Sequence, residues 1–354
     1  MAADDRTGAF EVAGLLAGIV GPVTVTVGTA PAGHGVVDLG SRARAPAEAA
    51  ERAAAVDEQP SAWTAHKIDS TLRGNWAGEL LARQAASGRR VVVLPGWPEL
   101  GRTCVDGLVR VHGTPVGRPA VGLPGSDVLS GVAALHEWLA SGRLIAVCDV
   151  PDTDTMHALA AALVGADVLI AGPGGPIGAA FTAHVGAFGA TSPSPISPSP
   201  PSPSPSPSTL PLPSPSPFSS TSAPALGGMI GVICGSAHLV SHEQLRRLAI
   251  ARPDIVVMSA PAADGELQPE FASTLAERAT LWIAEAQPGT IIVIGGDTTA
   301  ALLGDASRSV GGFVAPGMPW SRDEAGGGPM VVTKAGGFGG PDALVELCAA
   351  RLSR

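Results

Sequence analysis

The sequence has little of the charge pattern that nucleic-acid-binding proteins require. Charged residues make up 15% of the 354 residues, no Lys/Arg cluster is present, and the formal net charge is -9. An acidic chain of this kind argues against nucleic acid as a main partner. The longest apolar runs fall short of the roughly 20 residues that span a bilayer. The sequence therefore predicts neither a nucleic-acid partner nor a membrane partner.

Cysteine is scarce, and its pattern indicates a reducing compartment. Cys104, Cys148, Cys234 and Cys348 are far apart and form no Cys-x-x-Cys pair. Three of them lie in apolar runs, where a buried free thiol is expected. Residues 1–5 show no signal-peptide character, because two Asp follow Met-Ala-Ala directly. We therefore expect a cytoplasmic protein.

Several catalytic signatures are absent. The sequence contains neither a Gly-x-x-x-x-Gly-Lys-[Ser/Thr] P-loop nor the Gly-x-Ser-x-Gly motif of serine hydrolases. Residues 172–177 approach Gly-x-Gly-x-x-Gly but end on Ile, so a dinucleotide site is not expected there. His238 and His242 lie four apart without the Glu of a zinc protease between them, which favours surface histidines over a metal site.

Short Val/Ile-rich runs alternate with Ala/Leu-rich stretches of helical spacing. This alternation predicts an α/β fold in which mostly parallel sheets are flanked by helices. The predicted strands are 23–27, 91–94, 144–147, 168–171, 229–234, 255–258, 291–294 and 331–334. The predicted helices are 48–55, 77–87, 128–140, 155–163, 241–251, 269–286 and 341–351.

A Ser/Pro-rich stretch interrupts this pattern. Thirteen of the 33 prolines lie between residues 191 and 225, mostly alternating with Ser. Such a repeat cannot supply a hydrophobic core and favours an extended spacer. We therefore predict an N-terminal domain at 1–190, a disordered low-complexity linker at 191–226 and a C-terminal domain at 227–354.

Two polar motifs in the N-terminal half could carry chemistry. Asp4 and Asp5 precede a Thr-Gly turn, where carboxylates suit sugar hydroxyls, although one of them could simply cap a helix over 10–16. Residues 67–74, with the sequence KIDSTLRG, place a Lys, an Asp, two hydroxyls and an Arg at a predicted helix start. Such a set suits a carboxylate ligand. Capping alone would not require both Lys67 and Arg73.

Further motifs follow buried strands, where sheets of this kind place ligands. Residues 101–107 follow the strand at 91–94 through a Pro/Gly-rich loop. In the C-terminal half, glycine-rich turns at 235–236, 295–300 and 334–339 each follow an apolar run. Such turns let the backbone approach phosphates closely. Three in one domain favour a nucleotide site.

Taken in order, these motifs resemble the four-carbon acid sugar kinase family over nearly the whole chain outside the Ser/Pro stretch. The most specific element is KIDSTLRG followed by Glu79. The motifs at 4–9, 101–107 and 316–319 also match, and so does Gln244 after the turn at 235–236.

The resemblance implies an ATP-dependent kinase whose N-terminal domain holds a sugar acid and whose C-terminal domain holds ATP. Threonate, erythronate and 3-oxo-tetronate are the implied substrate classes, phosphorylated at the terminal hydroxyl. The residues proposed for the acid are Asp5, Lys67, Asp69, Ser70, Thr71, Arg73 and Arg102. Those proposed for ATP are Ser236, Gly295, Gly296, Asp297, Thr298, Lys334, Gly336, Gly337 and Gly339. Asp297 is a candidate for the Mg²⁺ shell, and the general base is either Asp5 or Asp69.

The sequence departs from the family pattern at two places. The Asp-Asp motif normally ends a first strand, whereas Met1 stands only three residues before Asp4. Either the true start lies upstream, or the sheet has lost a strand and Asp5 is poorly anchored. Pro173 stands where the family usually has Ser.

Two other functions remain open at this stage. One is a catalytically impaired homologue that still binds sugar acid and nucleotide. The other is an NAD-dependent dehydrogenase, which is less well supported because no turn has the full fingerprint with an acid about 20 residues on. The oligomeric state is also open, a homodimer being one alternative.

Overall fold

A computed structural model describes residues 1–30, 33, 35–58, 61–189, 224–260 and 269–350. The predicted linker lies almost entirely outside these residues, and so does the end of the helix predicted at 341–351.

The described residues form α/β structure throughout. The strands are β1 (Ala2–Ala3), β2 (Val23–Val27), β3 (Gly35–Asp38), β4 (Thr64–Lys67), β5 (Arg90–Val93), β6 (Arg102–Val105), β7 (Leu108–Val111), β8 (Thr114–Gly117), β9 (Asp127–Leu129), β10 (Ile145–Cys148), β11 (Val168–Gly172), β12 (Ile230–Cys234), β13 (Val256–Ser259), β14 (Thr290–Ile294), β15 (Arg308–Ala315), β16 (Met318–Asp323) and β17 (Met330–Lys334). The helices are α1 (Arg6–Val20), α2 (Pro46–Ala55), α3 (Trp76–Ser87), α4 (Pro119–Gly122), α5 (Gly131–Leu139), α6 (Thr153–Ala162), α7 (Gly174–Phe188), α8 (Leu239–Ala251), α9 (Pro269–Ala286), α10 (Gly296–Leu303) and α11 (Ala343–Ala350).

Fourteen of these strands form one continuous sheet in the order β13-β12-β14-β17-β16-β15-β2-β3-β1-β4-β11-β5-β10-β9. The strands of each half are mutually parallel, and the antiparallel pair β15–β16 joins the halves by pairing β15 with β2. The predicted α/β class with mostly parallel strands is confirmed. No sequence pattern indicated that both halves share a single sheet, and the domain boundaries stay a prediction.

Apolar burial explains why these runs become strands. Every residue of β11, β12, β14 and β17 is buried, as expected for parallel strands covered by helices on both faces. Helix α1 lies at the junction of the halves, and its Phe10 shares a core with Val310 and Phe313 of β15. Packing at this junction therefore fixes the first helix against the strand that leads into the C-terminal half.

In the N-terminal half the structure rules out one of the two alternatives for the start of the sheet and corrects one predicted helix. Ala2–Ala3 forms β1 between β3 and β4, so the sheet has not lost its first strand. The helix predicted at 128–140 begins only at Gly131, because Asp127–Leu129 pairs with β10 as an edge strand. Gly131 has φ of +79°, a left-handed conformation that separates the strand from the helix.

The environment of the cysteines agrees with the prediction of buried thiols. All four are free and buried. Burial raises the pKa of Cys104 and Cys148 to about 12, so they are inert as nucleophiles near neutral pH. Among the described helices none is long and apolar enough to cross a bilayer. A cytoplasmic location stays a prediction.

Candidate active site

The N-terminal motifs meet at the carboxyl ends of three adjacent strands. β1 lies between β3 and β4 with parallel pairing on both sides. The segments that leave β1, β3 and β4 begin with Asp4, Leu39 and Ile68 respectively. Ligands of open parallel sheets bind at this edge, so the topology alone brings the predicted acid-binding residues together.

Asp5 caps helix α1 and is firmly anchored. Its carboxylate accepts hydrogen bonds from the Gly8 backbone N–H at 3.0 Å and from Thr7 Oγ1 at 2.7 Å. A Cβ atom built on Gly8 would lie 2.5 Å from Asp5 Oδ1 and 2.7 Å from Lys67 Nζ. The capping interpretation is therefore confirmed, but the same contacts also place Asp5 beside the amine of Lys67.

Arg42, which the sequence did not single out, connects the three aspartates of the site. Its guanidinium donates to Asp4 at 2.8 Å and to Asp5 at 3.0 Å, and it lies 3.5 Å from Asp69 Oδ1. Its side chain is 25% exposed, whereas Asp4 is fully buried. Arg42 thus neutralises carboxylates that come from two different strand ends.

Asp69 organises the turn of the octapeptide rather than capping a helix. It accepts hydrogen bonds from the backbone and hydroxyl of Thr71, and Arg73 pairs with it through two nitrogens at 2.9 and 3.1 Å. Helix α3 starts only at Trp76, after the left-handed residues Leu72 and Gly74. The helix predicted at 77–87 is thus confirmed with its start at Trp76, but the octapeptide forms a turn of its own and does not supply the first turn of that helix.

Ser70 and Arg102 extend the site toward a small separate sheet formed by β6, β7 and β8. Arg102 Nε donates to Ser70 Oγ at 2.9 Å. The turn after β6 is held by Asp149, which accepts from the backbone N–H groups of Asp106 and Gly107 at 3.1 and 2.8 Å. The predicted residue at 102 is thereby brought against the octapeptide.

Burial and neighbouring charges shift the pKa values of the three aspartates in different directions. Burial raises the pKa of Asp4, and neighbouring Asp5 raises it further. Burial acts in the same direction on Asp5, but Lys67 and Arg42 outweigh it and lower its pKa. At Asp69, hydrogen bonds from Arg73 and Thr71 overcome burial and hold the pKa well below its usual range. Asp5 and Asp69 are therefore ionised, and Asp4 is the more easily protonated group.

Glu11 is a second residue that the sequence did not single out. Burial raises the pKa of its carboxyl, although Lys67 partly opposes this shift. A Cβ atom built on Gly174 would lie 2.7 Å from Glu11 Oε1. Pro173 precedes this glycine as the N-cap of α7 and makes no side-chain capping bond. Glu11 therefore faces the turn in which the sequence departs from the family pattern.

The three glycine-rich turns of the C-terminal half converge at the ends of β12, β14 and β17, which are neighbours in the sheet. A Cβ on Gly235 would collide with Thr298 Oγ1, and one on Gly336 would collide with Ser236 Oγ. Gly295, at φ of +108°, lies against the Ser236 backbone. The absence of side chains at these glycines is what allows the three turns to touch.

Asp297 and Lys334 differ in exposure. Asp297 is exposed in the first turn of α10, whereas Lys334 is buried and donates to the carbonyls of Ala335 and Gly336. Burial lowers the pKa of Lys334 to about 8. Within the described ranges no group of three or more His, Cys, Asp or Glu could hold a metal ion. Protein sites for Mg²⁺ commonly use one or two carboxylates and are completed by substrate phosphates. Asp297 is a carboxylate that could serve in such a site.

The two clusters approach each other across helices α1 and α10. A Cβ on Gly296 would lie 3.4 Å from Thr7 Oγ1 and 3.5 Å from Asp5 Oδ2. Arg6, buried in an ion pair with Asp38, donates to the Gly304 carbonyl at 3.0 Å. The first turn of α10 therefore borders Asp5. The carbonyl of Gly304, at the end of α10, accepts a hydrogen bond from Arg6, the residue after Asp5.

The structure thus brings the predicted residues together in two groups. The group at the N-terminal strand ends contains Asp5, Lys67, Asp69, Ser70, Thr71, Arg73 and Arg102. The group at the C-terminal strand ends contains Ser236, Gly295, Gly296, Asp297, Thr298, Lys334, Gly336, Gly337 and Gly339. Arg42 could have been found from its position after β3, but that strand was not predicted.

Sequence comparison finds two known proteins or domains that parts of this chain resemble. A family model described as a sugar-binding N-terminal domain matches residues 1–123. D-threonate kinase of Cupriavidus necator is 33% identical over 204 residues, which cover 47% of this chain and 49% of the relative. The match thus spans about half the length of that curated relative.

Two solved structures share the fold over nearly the whole chain. A Salmonella typhimurium LT2 protein, described as a candidate tRNA synthase, superposes with a TM-score of 0.69 at 19% identity and covers 97% of each chain. Haemophilus influenzae protein HI1011, of family DUF1537, gives a TM-score of 0.67 at 17% identity and covers 99% of each chain. The chain is thus similar in its first 123 residues to a sugar-binding N-terminal domain, over 204 residues to a D-threonate kinase, and over nearly its whole length to these two structures in fold.

Proposed function

We propose that this protein is an ATP-dependent kinase that phosphorylates the terminal hydroxyl of a small sugar acid, such as threonate, erythronate or 3-oxo-tetronate. The observation that carries the proposal is the proximity of Asp5 and Thr7 to the glycine turn at Gly296. A Cβ atom built on Gly296 would lie 3.4 Å from Thr7 Oγ1 and 3.5 Å from Asp5 Oδ2. A cluster suited to a hydroxy acid thereby borders a cluster suited to phosphates. The match to D-threonate kinase over half its length supports the same chemistry.

The acid would be held by cations of the N-terminal cluster. Arg73 is partly exposed, and its pairing with Asp69 presents a planar guanidinium at the site. Together with Lys67 and Arg102 it could bind the substrate carboxylate, because forked guanidinium groups bind carboxylates through two parallel hydrogen bonds. The substrate hydroxyls would then face the carboxylates of the cluster.

For the general base, the geometry favours Asp5 over Asp69. Both carboxylates accept several hydrogen bonds, Asp69 from Thr71 and Arg73 and Asp5 from neighbours that include Arg42, so their position decides between them. Asp5 is ionised and lies beside the turn at Gly296. A base must reach the hydroxyl that attacks the phosphoryl group, and Asp5 is the carboxylate nearer to the proposed phosphate site.

The phosphates of ATP would be bound by the glycine turns of the C-terminal cluster. Backbone N–H groups of such turns bind anions without a counter-charged side chain. Mg²⁺, when bound, neutralises charge on the transferred phosphates, and the exposed Asp297 is the side chain that would contribute to its shell. Holding the acceptor and the donor in line supplies much of the rate enhancement in phosphoryl transfer.

An ADP-release screen over four-carbon sugar acids tests this proposal directly. The full chain is incubated with ATP and Mg²⁺ and with each acid in turn, and a coupled assay records ADP. We expect acid-dependent ADP release with at least one threonate-like acid, and the product should carry phosphate on its terminal hydroxyl. If acid and nucleotide both bind by calorimetry but ADP release never exceeds the acid-free rate, the protein is a binding homologue.

A further inference from the structure

We infer that Gln244, Ser241 and Lys334 form a carbonyl clamp that turns the backbone N–H groups of the loop at residues 335–340 toward the phosphates of a bound nucleotide. The inference rests on the proposed function and deepens it. It assigns the three side chains as positioning residues and names a polyphosphate as the chemical group that the loop binds.

Gln244 is the centre of this clamp. It is fully buried on α8, and its Nε2 lies 3.1 Å from the Phe338 carbonyl, 3.3 Å from that of Gly339 and 2.8 Å from that of Gly340. Only the NH₂ end of an amide can face three carbonyls, so the orientation of the side chain is unambiguous. The two N–H bonds of one side chain are thus shared among the carbonyls of three consecutive residues.

Two further side chains hold the start of the loop in the same manner. Ser241 Oγ, one helical turn before Gln244, donates to the Gly336 carbonyl at 2.6 Å. Lys334 Nζ donates to the carbonyls of Ala335 and Gly336 at 3.0 and 3.1 Å. The clamp therefore holds five carbonyls on the buried side of the loop, those of Ala335, Gly336, Phe338, Gly339 and Gly340.

The geometry of the peptide group decides what the other side of the loop presents. In a planar trans peptide the C=O and the following N–H point in opposite directions. Carbonyls that are held inward therefore direct the N–H groups of Gly336, Gly337, Gly339 and Gly340 outward. A series of N–H groups on one side of a turn is an anion-binding concavity.

The loop at residues 335–340 lies beside the other two turns of the C-terminal cluster. A Cβ on Gly336 would collide with Ser236 Oγ, and one on Gly337 would lie 2.9 Å from His238 Nε2. Gly337, Gly339 and Gly340 are exposed. The loop is thus closed on its carbonyl side and packs at Gly336 against Ser236, beside which the turn at Gly295 also lies, whereas the later glycines of the loop are exposed.

Calorimetric titration of the full chain with ADP and Mg²⁺ at fixed salt tests the clamp. Gln244→Met keeps the volume of the side chain but removes its donors. We expect its Kd for ADP to rise about tenfold, since each lost hydrogen bond and the freed loop reduce preorganisation. The Kd for the sugar acid should change less than about twofold, because the acid does not contact the loop. The loss should be smaller for AMP than for ADP.

Leu248→Ala is the matched control. Leu248 is fully buried on the same helix, one turn after Gln244, and packs in the C-terminal core. The control should lower the unfolding midpoint while leaving the Kd for ADP unchanged. If Leu248→Ala weakens ADP binding as much as Gln244→Met does, general destabilisation explains the effect and the clamp is wrong.

The remaining outcomes separate the clamp from the proposed function. If the wild-type protein binds ADP and Gln244→Met binds it equally well, the clamp is wrong but the kinase proposal stands. If the wild-type protein binds neither ATP nor ADP, both fail together. Should Gln244→Met not fold, Ser241→Ala decides the matter, because it removes one donor from an otherwise intact clamp and should raise the Kd for ADP about threefold.

Discussion

The two clusters that meet at α10 are built by different means. The N-terminal cluster consists of charged side chains, with Arg42 joining Asp4, Asp5 and Asp69. The C-terminal cluster consists largely of backbone, brought together where glycine lacks a Cβ. A small acid offers few atoms, so its recognition depends on fixed charges, whereas a chain of phosphates can be bound by a row of N–H groups.

The two buried lysines show the same difference. Lys67 has Asp5, Asp4 and Glu11 around it, and these carboxylates outweigh burial and raise its pKa. Among the described residues, the hydrogen-bond acceptors of Lys334 are the carbonyls of Ala335 and Gly336, and burial lowers its pKa to about 8. Burial and neighbouring charge thus give opposite pKa shifts for the two lysines, because carboxylates surround Lys67 but not Lys334 in the part of the chain that the structure describes.

Replacement of Arg42 should have the largest effect. Arg42→Met removes the ion-pair partner of the buried Asp4 and leaves only Lys67 nearby to offset its charge, and breaking a buried pair costs about 3–5 kcal/mol. We also expect turnover of the acid to fall by more than about 100-fold, since Asp5 and Asp69 lose their common partner. Urea unfolding and the ADP-release assay measure the two effects.

Arg44→Met is the control for Arg42. Arg44 lies two residues on and pairs with Glu48 at an exposed site. Its replacement should change the free energy of unfolding by less than about 1 kcal/mol and leave turnover near the wild-type value. Equal losses for the two variants would contradict the central position of Arg42.

Arg6 tests the connection between the clusters. Arg6→Met leaves Asp38 buried and unpaired and removes the bond to the Gly304 carbonyl, so the free energy of unfolding should fall by about 3 kcal/mol. Adding Asp38→Asn should restore part of this loss, because it removes the isolated charge. A double variant less stable than Arg6→Met would show that the ion pair is not the cause.

Arg73→Ala tests the division of labour between the clusters. Arg73 is 63% exposed, so stability should change by less than about 1 kcal/mol. The KM for the sugar acid should rise roughly 10- to 100-fold with the loss of a charge-assisted contact, while nucleotide affinity stays the same. The variant Arg73→Lys should show a smaller rise in KM than Arg73→Ala, but its KM should stay above the wild-type value. If acid and nucleotide affinity fall together, the proposed separation of sites is wrong.

The pH dependence of stability should differ between the two lysines, and this is the smallest expected effect. The pKa of Lys334 is about 8 in the folded protein and 10.5 as the ordinary value. The unfolded chain therefore binds more protons between pH 8 and 10, and the contribution of Lys334 to stability rises with pH. The free energy of unfolding of the wild type minus that of Lys334→Met should rise by at least about 1 kcal/mol over this range.

Lys67→Met provides the opposite case for the pH experiment. Carboxylates raise the pKa of Lys67, so both folded and unfolded states keep the proton between pH 8 and 10. The difference between wild type and Lys67→Met should stay level there and should decline only at higher pH. A rise with pH for Lys67, or a level difference for Lys334, would contradict the contrast between the clusters.

Local sequence patterns were sufficient for most of the elements. Buried strands such as β12, β14 and β17 were predicted within one residue, because continuous apolar runs between turn residues specify them. The short strand β1 was missed because two alanines give no periodic signal. Its place depends on pairing with β3 and β4, which are far away in the chain.

The candidate site was predictable to the extent that its chemistry lies in contiguous motifs. The octapeptide holds Lys67, Asp69 and Arg73 within seven residues, and the side chains act within their own turn. Arg42 has no such motif around it. Its function depends on the adjacency of β1, β3 and β4, so no local pattern could reveal it.

The sequence by itself determined the α/β class, the glycine turns and the charged octapeptide, because turn chemistry and hydrophobic periodicity act over a few residues. Only the tertiary structure decided that the two halves share one sheet, that Arg42 joins three carboxylates, and that Gly296 borders Asp5. These contacts join residues up to about 290 positions apart. They exist because strand order in the sheet, set by packing, brings the strand ends together.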